Sequence, residues 1–589
     1  MRKVSGAVLL LLVLMAWWSR SAADPFMPVT ELRRGMRGTG RTVFQGSRID
    51  TFSVELLGVV ERSLGPRRDL IVARLSGGPL ADTGVIRGMS GSPVYVAGRL
   101  VGAVAYGWTF SSVPICGITP IRDMLDVMDR GVDVAAPGGR IPGPVELGPE
   151  GAALLQSHLS AGDAGSALAL QPLATPVWVS GLSGAGAALL RQSLHPYGLE
   201  VLEAPGGQLS VPGPPLEPGA PLGVQLISGD VSATGVGTVT YVQGNRVLAF
   251  GHPLLLAGAT DMPMTGAYIH DIVPNQVSSF KLGAATLPVG AVRQDRAAAI
   301  AGMLGHAPAM LPVTVDLASG ERSTPYRFGV VRHRDLLPAL TRAVLMGVLE
   351  ASEKLFGDAT LEVHVAMRLG DGRLLAREHV HSGPLATVEA TAEACRPLAL
   401  LLQSPFQGLS PDSLHVSLGL RERLLAAQVV SLRASASVVE PGDSLGVSVT
   451  LQPYDHEPVT QRLALRLPED LPAGPVELRA GSGTASRLWE EQRRPDAAAP
   501  RSARQLVELL AESRRDDQLV VEVFHQEESY VVGGRELPAL PPSARTVLAQ
   551  DASAGHTGPV HGRVLLRQSV PSDYVLSGEQ VLQLTVRKP

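Results

Sequence analysis

The chain has 589 residues, of which 45% are hydrophobic and 18% charged, and a net charge of −4. That length supports three or four domains, each burying its own core, and that composition excludes a disordered chain. The near-neutral charge, with no basic stripe and no interleaving of basic and aromatic residues, excludes nucleic acid as a partner; 64 glycines and 46 prolines against 4% aromatics point to a turn-rich, mainly β protein.

Residues 1–23 read as a secretory signal peptide. Arg2 and Lys3 precede an apolar run from Val8 to Trp18, and Ser21-Ala22-Ala23 places small residues where a signal peptidase cuts. The run is shorter than the roughly 20 residues that span a bilayer, so cleavage is favoured over an uncleaved anchor. The mature protein is then periplasmic or secreted, with no stable membrane span. No cysteine follows the run, which argues against a lipoprotein anchor.

Residues 24–139 are strand-rich. Thr51–Val60 and Leu70–Leu75 are apolar, β-branched runs bounded by turn signals, and Ile118 to Met128 reads as a helix closing the unit. Between them lies Gly88-Met89-Ser90-Gly91-Ser92-Pro93, followed by a strand, a turn at Gly98 and a second strand through Val104. Glycine permits the backbone angles that aim two N–H groups into one concavity. Here those are the amides of Gly88 and Ser90, a candidate oxyanion hole. Chymotrypsin-like proteases build their nucleophile in such a Gly-x-Ser-Gly-x-Pro turn. The plainer alternative is a glycine-rich hairpin turn whose serine bonds its own backbone.

Residues 140–220, rich in Ala, Gly, Pro and Leu, form a connecting region with short strand-like runs such as Pro176–Val179. Residues 221–320 carry Gly235-Val236-Gly237-Thr238-Val239-Thr240 and then Val247-Leu248-Ala249-Phe250-Gly251-His252-Pro253. His252 follows a strand and sits in a Gly-His-Pro turn, where an imidazole can face a cleft.

The two motifs together resemble the SpoIVB-type (stage IV sporulation protein B) serine peptidase family. Thr83-Gly84-Val85-Ile86-Arg87-Gly88-Met89-Ser90-Gly91-Ser92-Pro93 and Gly98–Val104 are similar to its serine half, and the Gly235–Thr240 and Val247–Pro253 segments to its Gly-His half. The resemblance implies a chymotrypsin-like double β-barrel peptidase core, Ser90 as nucleophile, His252 as base and a protein or peptide substrate, with no cofactor and no metal. Three departures stand out. Ser90 precedes His252, so the halves are in swapped order. The stretch Ala73–Gly78, where the family acid lies, has no carboxylate. No PDZ-like segment lies between signal and catalytic region.

For the acid that would hold the imidazole, Asp261 is the first candidate, with Asp82 and Asp69 in the serine half as alternatives. A backbone carbonyl can partly take that task. His270-Asp271 competes with His252 as base. His379 and His381 share one strand face without a third metal ligand in view. Cys116 and Cys395, the only cysteines, fall in separate segments and read as buried thiols rather than a disulfide.

Residues 321–428 read as an α/β extension, helical from Leu336 to Leu355. Residues 429–589 read as a C-terminal immunoglobulin-like β accessory domain: Glu440-Pro441-Gly442-Asp443 turns into alternating Leu445, Val447 and Val449, and Gln505–Glu512 forms a helix. Two function classes follow: a secreted or periplasmic serine endopeptidase, or a catalytically inactive envelope binding or scaffold protein that keeps the protease-like fold.

Overall fold

Strand β2 (Asp50–Val60) alternates buried Phe52, Val54 and Leu56 with outward residues, then buries both Leu56 and Leu57 where its register against β3 (Leu70–Ser76) shifts. Such a bulge bends a strand and helps a sheet curl on itself. In this computed structural model, which describes residues 24–108, 113–130, 145–146, 169–204, 207–275, 278–352, 357–494, 500–512, 514–532, 535–538, 540–550 and 557–587, the curl closes. Strands β1 (Arg37–Thr42), β2, β3, β4 (Pro93–Val96), β5 (Arg99–Gly107) and β6 (Ile115–Pro120) run in the order β4-β1-β2-β3-β6-β5, and β4 pairs back onto β5. All these pairings are antiparallel. Phe52, Val54, Leu75, Ile86, Met89, Val94 and Val104 belong to its core.

The helix at the end of this half spans Ile121–Met128, shorter than expected. Ile118 is held in the ladder by Ile71 and Val104, so Ile118–Pro120 stay in β6 and the helix starts after Pro120. Its stripe of Ile121, Met124, Val127 and Met128 packs with Leu100, Ala103, Leu248, Ala299 and Ala301 into one cluster. Burying such side chains contributes about 1.5–3 kcal/mol each.

The short strand β7 (Val145–Glu146) pairs with β8 (Ala169–Pro172), and β8 with β5. Beyond these strands, the connecting region up to residue 168 lies outside the described residues. Its remainder is more than a connector: β9 (Thr175–Ser180) pairs with β10 (Leu199–Glu203) on one side and with β12 on the other.

A second barrel follows. β11 (Pro221–Gly229), β12 (Ser232–Gln243), β13 (Arg246–Ala249), β14 (Gly258–Val273), β15 (Phe280–Arg296) and β16 (Ala299–Leu304) run in the order β12-β13-β16-β15-β14-β11, and β11 pairs back onto β12. Again every pairing is antiparallel. The core is thus a double β-barrel of the chymotrypsin-like kind. Both barrels lie in one unit, Met1–Gly181 with Arg191–Met310.

The second unit comprises Leu182–Leu190 and Leu311–Pro589. It includes β17 (Leu311–Ser319), expected with the histidine half, which pairs antiparallel with β18 (Arg322–Val330) and parallel with β21 (Pro411–Arg421). β19 (Thr360–Leu369) and β20 (Leu374–Ser382) complete that sheet, and helices Leu337–Ser352 and Ala386–Gln403 belong to the same unit. The C-terminal part has two sheets around one core of Val429, Val447, Val449, Leu465, Leu478, Val521 and Leu584. Helices Gly483–Arg493 and Ala503–Ala511 and a long hairpin-like pair, Gln518–Val532 with Thr557–Pro571, make it a two-sheet β unit with insertions rather than a plain immunoglobulin-like sandwich.

Candidate active site

The serine turn forms because glycine occupies both of its left-handed positions, with φ of +93° at Gly88 and +97° at Gly91. Inside it, the Met89 amide donates to the Ile86 carbonyl at 3.1 Å, Ser92 to the Met89 carbonyl at 2.9 Å and Gly91 to the Val104 carbonyl at 2.7 Å. The amides of Gly88 and Ser90 donate to no protein acceptor among the described residues. Ser90 does not bond its own turn either: its hydroxyl is buried and unpartnered.

The second barrel grips this turn through β12. The Thr238 amide donates to the Ser90 carbonyl at 2.7 Å. Its hydroxyl donates to the Gly88 carbonyl at 2.9 Å, and the Thr240 hydroxyl to the Gly91 carbonyl at 2.7 Å. The fit at Gly91 leaves no room for a side chain: a Cβ there would lie 1.9 Å from the Thr238 carbonyl oxygen and 2.5 Å from the Phe250 nitrogen. The histidine turn is gripped in return, with the Thr119 hydroxyl of β6 donating to the Gly251 carbonyl at 2.6 Å.

The barrel closure thus brings the Ser90 and His252 turns onto one interface. His252 is 2% exposed and its Nε2 is unpartnered, while Nδ1 lies 2.8 Å from the Pro253 carbonyl. A carbonyl only accepts, so in the neutral ring Nδ1 carries the proton and Nε2 presents its lone pair. Burial lowers the imidazole to about 4, opposed by the Pro253 carbonyl. The ring therefore stays neutral at pH 7. Ser90 and His252 do not hydrogen-bond one another here; such contacts often tighten only with substrate.

Asp261 does not serve this histidine. It lies on β14, and its Oδ1 pairs with Arg293 and, at 3.1 Å, with His306 Nε2. The other acids stand elsewhere too: Asp82 is exposed and Asp69 accepts the Arg62 amide at 2.9 Å. The competing base, His270, is exposed, and Asp271 accepts the Ile272 amide.

The carboxylate that shapes the histidine loop is Asp295, on β15 and fully buried. It accepts the amides of Leu254 at 2.8 Å, Leu255 at 2.7 Å and Ala257 at 3.2 Å. Burial raises its pKa and these bonds oppose that. The loop needs such a holder because Phe250 and Leu256 adopt φ of +71° and +54° without being glycine. Residues so placed cost on the order of 1–3 kcal/mol each and persist only where their surroundings impose them. Sequence reading left Asp295 unassigned; it stands in the polar run Arg293-Gln294-Asp295-Arg296, where nothing marks a carboxylate as buried.

Lys281 is the other buried charge at this interface. Its Nζ donates to Thr42 Oγ1 at 2.8 Å, and burial lowers its ammonium to about 7, with Asp50 opposing. Cys116 and Cys395 are free and buried. Among the described residues no group of three or more His, Cys, Asp or Glu could hold a metal ion, and no helix is long and apolar enough to cross a membrane. The signal segment lies outside the described residues.

Residues 26–119 match the family described as SpoIVB peptidase S55. Over this segment the chain is similar to the SpoIVB peptidase family. The S55 segment contains β1–β5, β6 up to Thr119 and the whole serine turn, with Gly88 and Ser90; His252 and Asp295 come from outside it. The family is one of peptidases, and the match supports that class of activity for the barrel bearing Ser90. Neither the curated proteins nor the solved structures yielded a match to the chain.

Proposed function

We propose that the protein is a secreted or periplasmic serine endopeptidase that works through an acyl-enzyme. Ser90 is the nucleophile, His252 the base, and the amides of Gly88 and Ser90 the oxyanion hole. The observation that carries this reading is the pair of donors left over in the serine turn. Gly88 and Ser90 amides have no protein acceptor, while the carbonyls of their peptide units are both tied: Arg87 to the Lys281 amide and Met89 to the Ser92 amide. Donors fixed in advance toward a developing negative charge are often the largest catalytic term.

In the first step the Ser90 hydroxyl gives its proton to His252 Nε2 as Oγ bonds the substrate carbonyl carbon. The carbonyl electron pair moves onto oxygen, facing the two amides. Collapse breaks the C–N bond, and the amine leaves with the proton from Nε2. Water then repeats the sequence and releases the acid. The Pro253 carbonyl, accepting Nδ1–H, takes the orienting task that a triad carboxylate has elsewhere. Asp295 acts one step removed, as a positioning residue for the loop that carries that carbonyl.

One observation favours a second reading, a non-catalytic binding protein: Ser90 is 0% exposed, so a substrate carbonyl reaches it only after this interface opens. A fluorophosphonate probe separates the two. Labelling of the wild type that maps to Ser90 and vanishes in Ser90→Ala supports the peptidase. A folded wild type that stays unlabelled and cleaves no peptide removes it.

A further inference from the structure

We propose that Lys281 is a positioning residue of the oxyanion turn: anchored on Thr42, it fixes the Arg87–Gly88 peptide so that the Gly88 amide faces the site. The proposal builds on the reading of Ser90 as nucleophile and adds a residue from the opposite barrel.

The Gly88 amide belongs to the peptide unit whose carbonyl is that of Arg87. In a trans peptide, C=O and N–H point in opposite directions, so whatever holds the carbonyl aims the amide. The Lys281 amide donates to the Arg87 carbonyl at 3.1 Å, and the Arg87 amide donates to the Ser279 carbonyl at 2.9 Å. This short parallel bridge is the hold on the peptide from outside the turn. It is needed because glycine at φ +93° meets little steric resistance to a peptide flip.

The side chain adds a second restraint. Its stem crosses Gly88: a Cβ built there would meet Lys281 Cδ at 3.2 Å and Cβ and Cγ at 3.4 Å. The stem ends on Thr42, the last residue of β1, and the Lys281 carbonyl accepts Trp178 Nε1 at 2.9 Å. Lys281 is 0% exposed, and no carboxylate pairs with its amine among the described residues. A methionine would fill the same space without the desolvation penalty of a buried amine. What lysine offers beyond volume is the directed bond to Thr42, which sets the course of the stem over Gly88.

The test uses the full chain as wild type, Lys281→Met, Thr42→Val, Thr42→Ser and the Lys281→Met/Thr42→Val pair. Active sites are titrated with the fluorophosphonate, and kcat, KM and inhibition by a peptidyl aldehyde, whose hemiacetal oxygen occupies the oxyanion site, are measured per titrated site. Lys281→Met and Thr42→Val should each lower kcat about 10- to 100-fold, keep KM within about twofold and weaken the aldehyde in proportion. Thr42→Ser, which keeps the hydroxyl, should recover the kcat lost in Thr42→Val, and the double variant should lose no more than either single one. Unchanged kcat and aldehyde affinity per titrated site, with only lower thermal stability, would overturn the proposal. A wild type that neither labels nor cleaves defeats the peptidase reading separately. In that event the crystal structure of Lys281→Met decides: a flipped or divided Arg87–Gly88 peptide supports the role of Lys281, and an unmoved one refutes it.

Discussion

Thr238 joins the two barrels at the nucleophile turn: its amide donates to the Ser90 carbonyl at 2.7 Å and its hydroxyl to the Gly88 carbonyl at 2.9 Å. One residue of the second barrel thus holds both ends of the Gly88-Met89-Ser90 segment. Removing the hydroxyl in Thr238→Val keeps the shape but leaves the Gly88 carbonyl without that donor in a buried place. A loss of about 1–3 kcal/mol in unfolding free energy is expected from urea titration. An unchanged midpoint and slope would mean that this bond carries no weight.

Ser90 and Ser92 are both fully buried with unpartnered hydroxyls, so burial alone does not tell them apart. Their places in the turn do. Ser90 carries one of the two free amides, with the other at Gly88, two residues before it, whereas Ser92 donates its own amide to the Met89 carbonyl and leads into β4. Ser90→Ala should lower turnover by at least about 10³-fold while the protein stays folded; Ser92→Ala should change it less than about tenfold. Hydrolysis of a quenched fluorescent peptide measures both. Equal losses would remove Ser90 from its assigned role.

Two aspartates give opposite expectations. Asp295→Asn replaces a carboxylate that accepts three loop amides, so one of its two oxygens becomes a donor facing donors. It should lower both stability and kcat, the latter about 10-fold or more, because the Pro253 carbonyl loses its support. Asp261→Asn disturbs a half-exposed cluster with Arg293 and His306 and should leave kcat within about threefold. If Asp261→Asn is the more damaging to turnover, the histidine is oriented differently from what its Pro253 contact implies.

The buried histidine makes stability depend on pH. Burial lowers His252 from 6.5 to about 4, so the unfolded chain takes up a proton that the folded chain refuses. Stability is then lost as pH falls from about 6.5 toward 4 and levels off below that. Between pH 7 and pH 5 the wild type should lose about 2 kcal/mol more than His252→Gln, read by urea unfolding at the two pH values. Equal losses in both proteins would show that the ring is not held neutral by burial.

Residue type alone determined the local geometry of this protein. Glycine at 88 and 91 demands the left-handed turn that frees two amides, Pro93 and Gly98 bound the hairpin behind it, and the period-two runs of Thr51–Val60 and Leu445–Leu451 could only be strands. These features rest on φ, ψ and burial within a few positions, so a chain shows them before it folds. Tertiary structure alone decided which groups meet across the barrels. Asp261, close to His252 along the chain, is drawn to Arg293 on the neighbouring strand, while the distant Asp295 closes on the amides after Pro253. Thr238, Thr240 and Lys281 show no partner in the sequence, and Thr119 falls in the stretch read as a helix, because a hydroxyl or amine acquires its role only from the acceptor that barrel closure brings to it. The extent of β6 was decided in the same way: ladder partners Ile71 and Val104 hold Ile118 in the sheet, against its own helical pattern. Hydrogen-bond partners far apart in the chain are set by sheet register, and register is a property of the closed barrel rather than of any one segment.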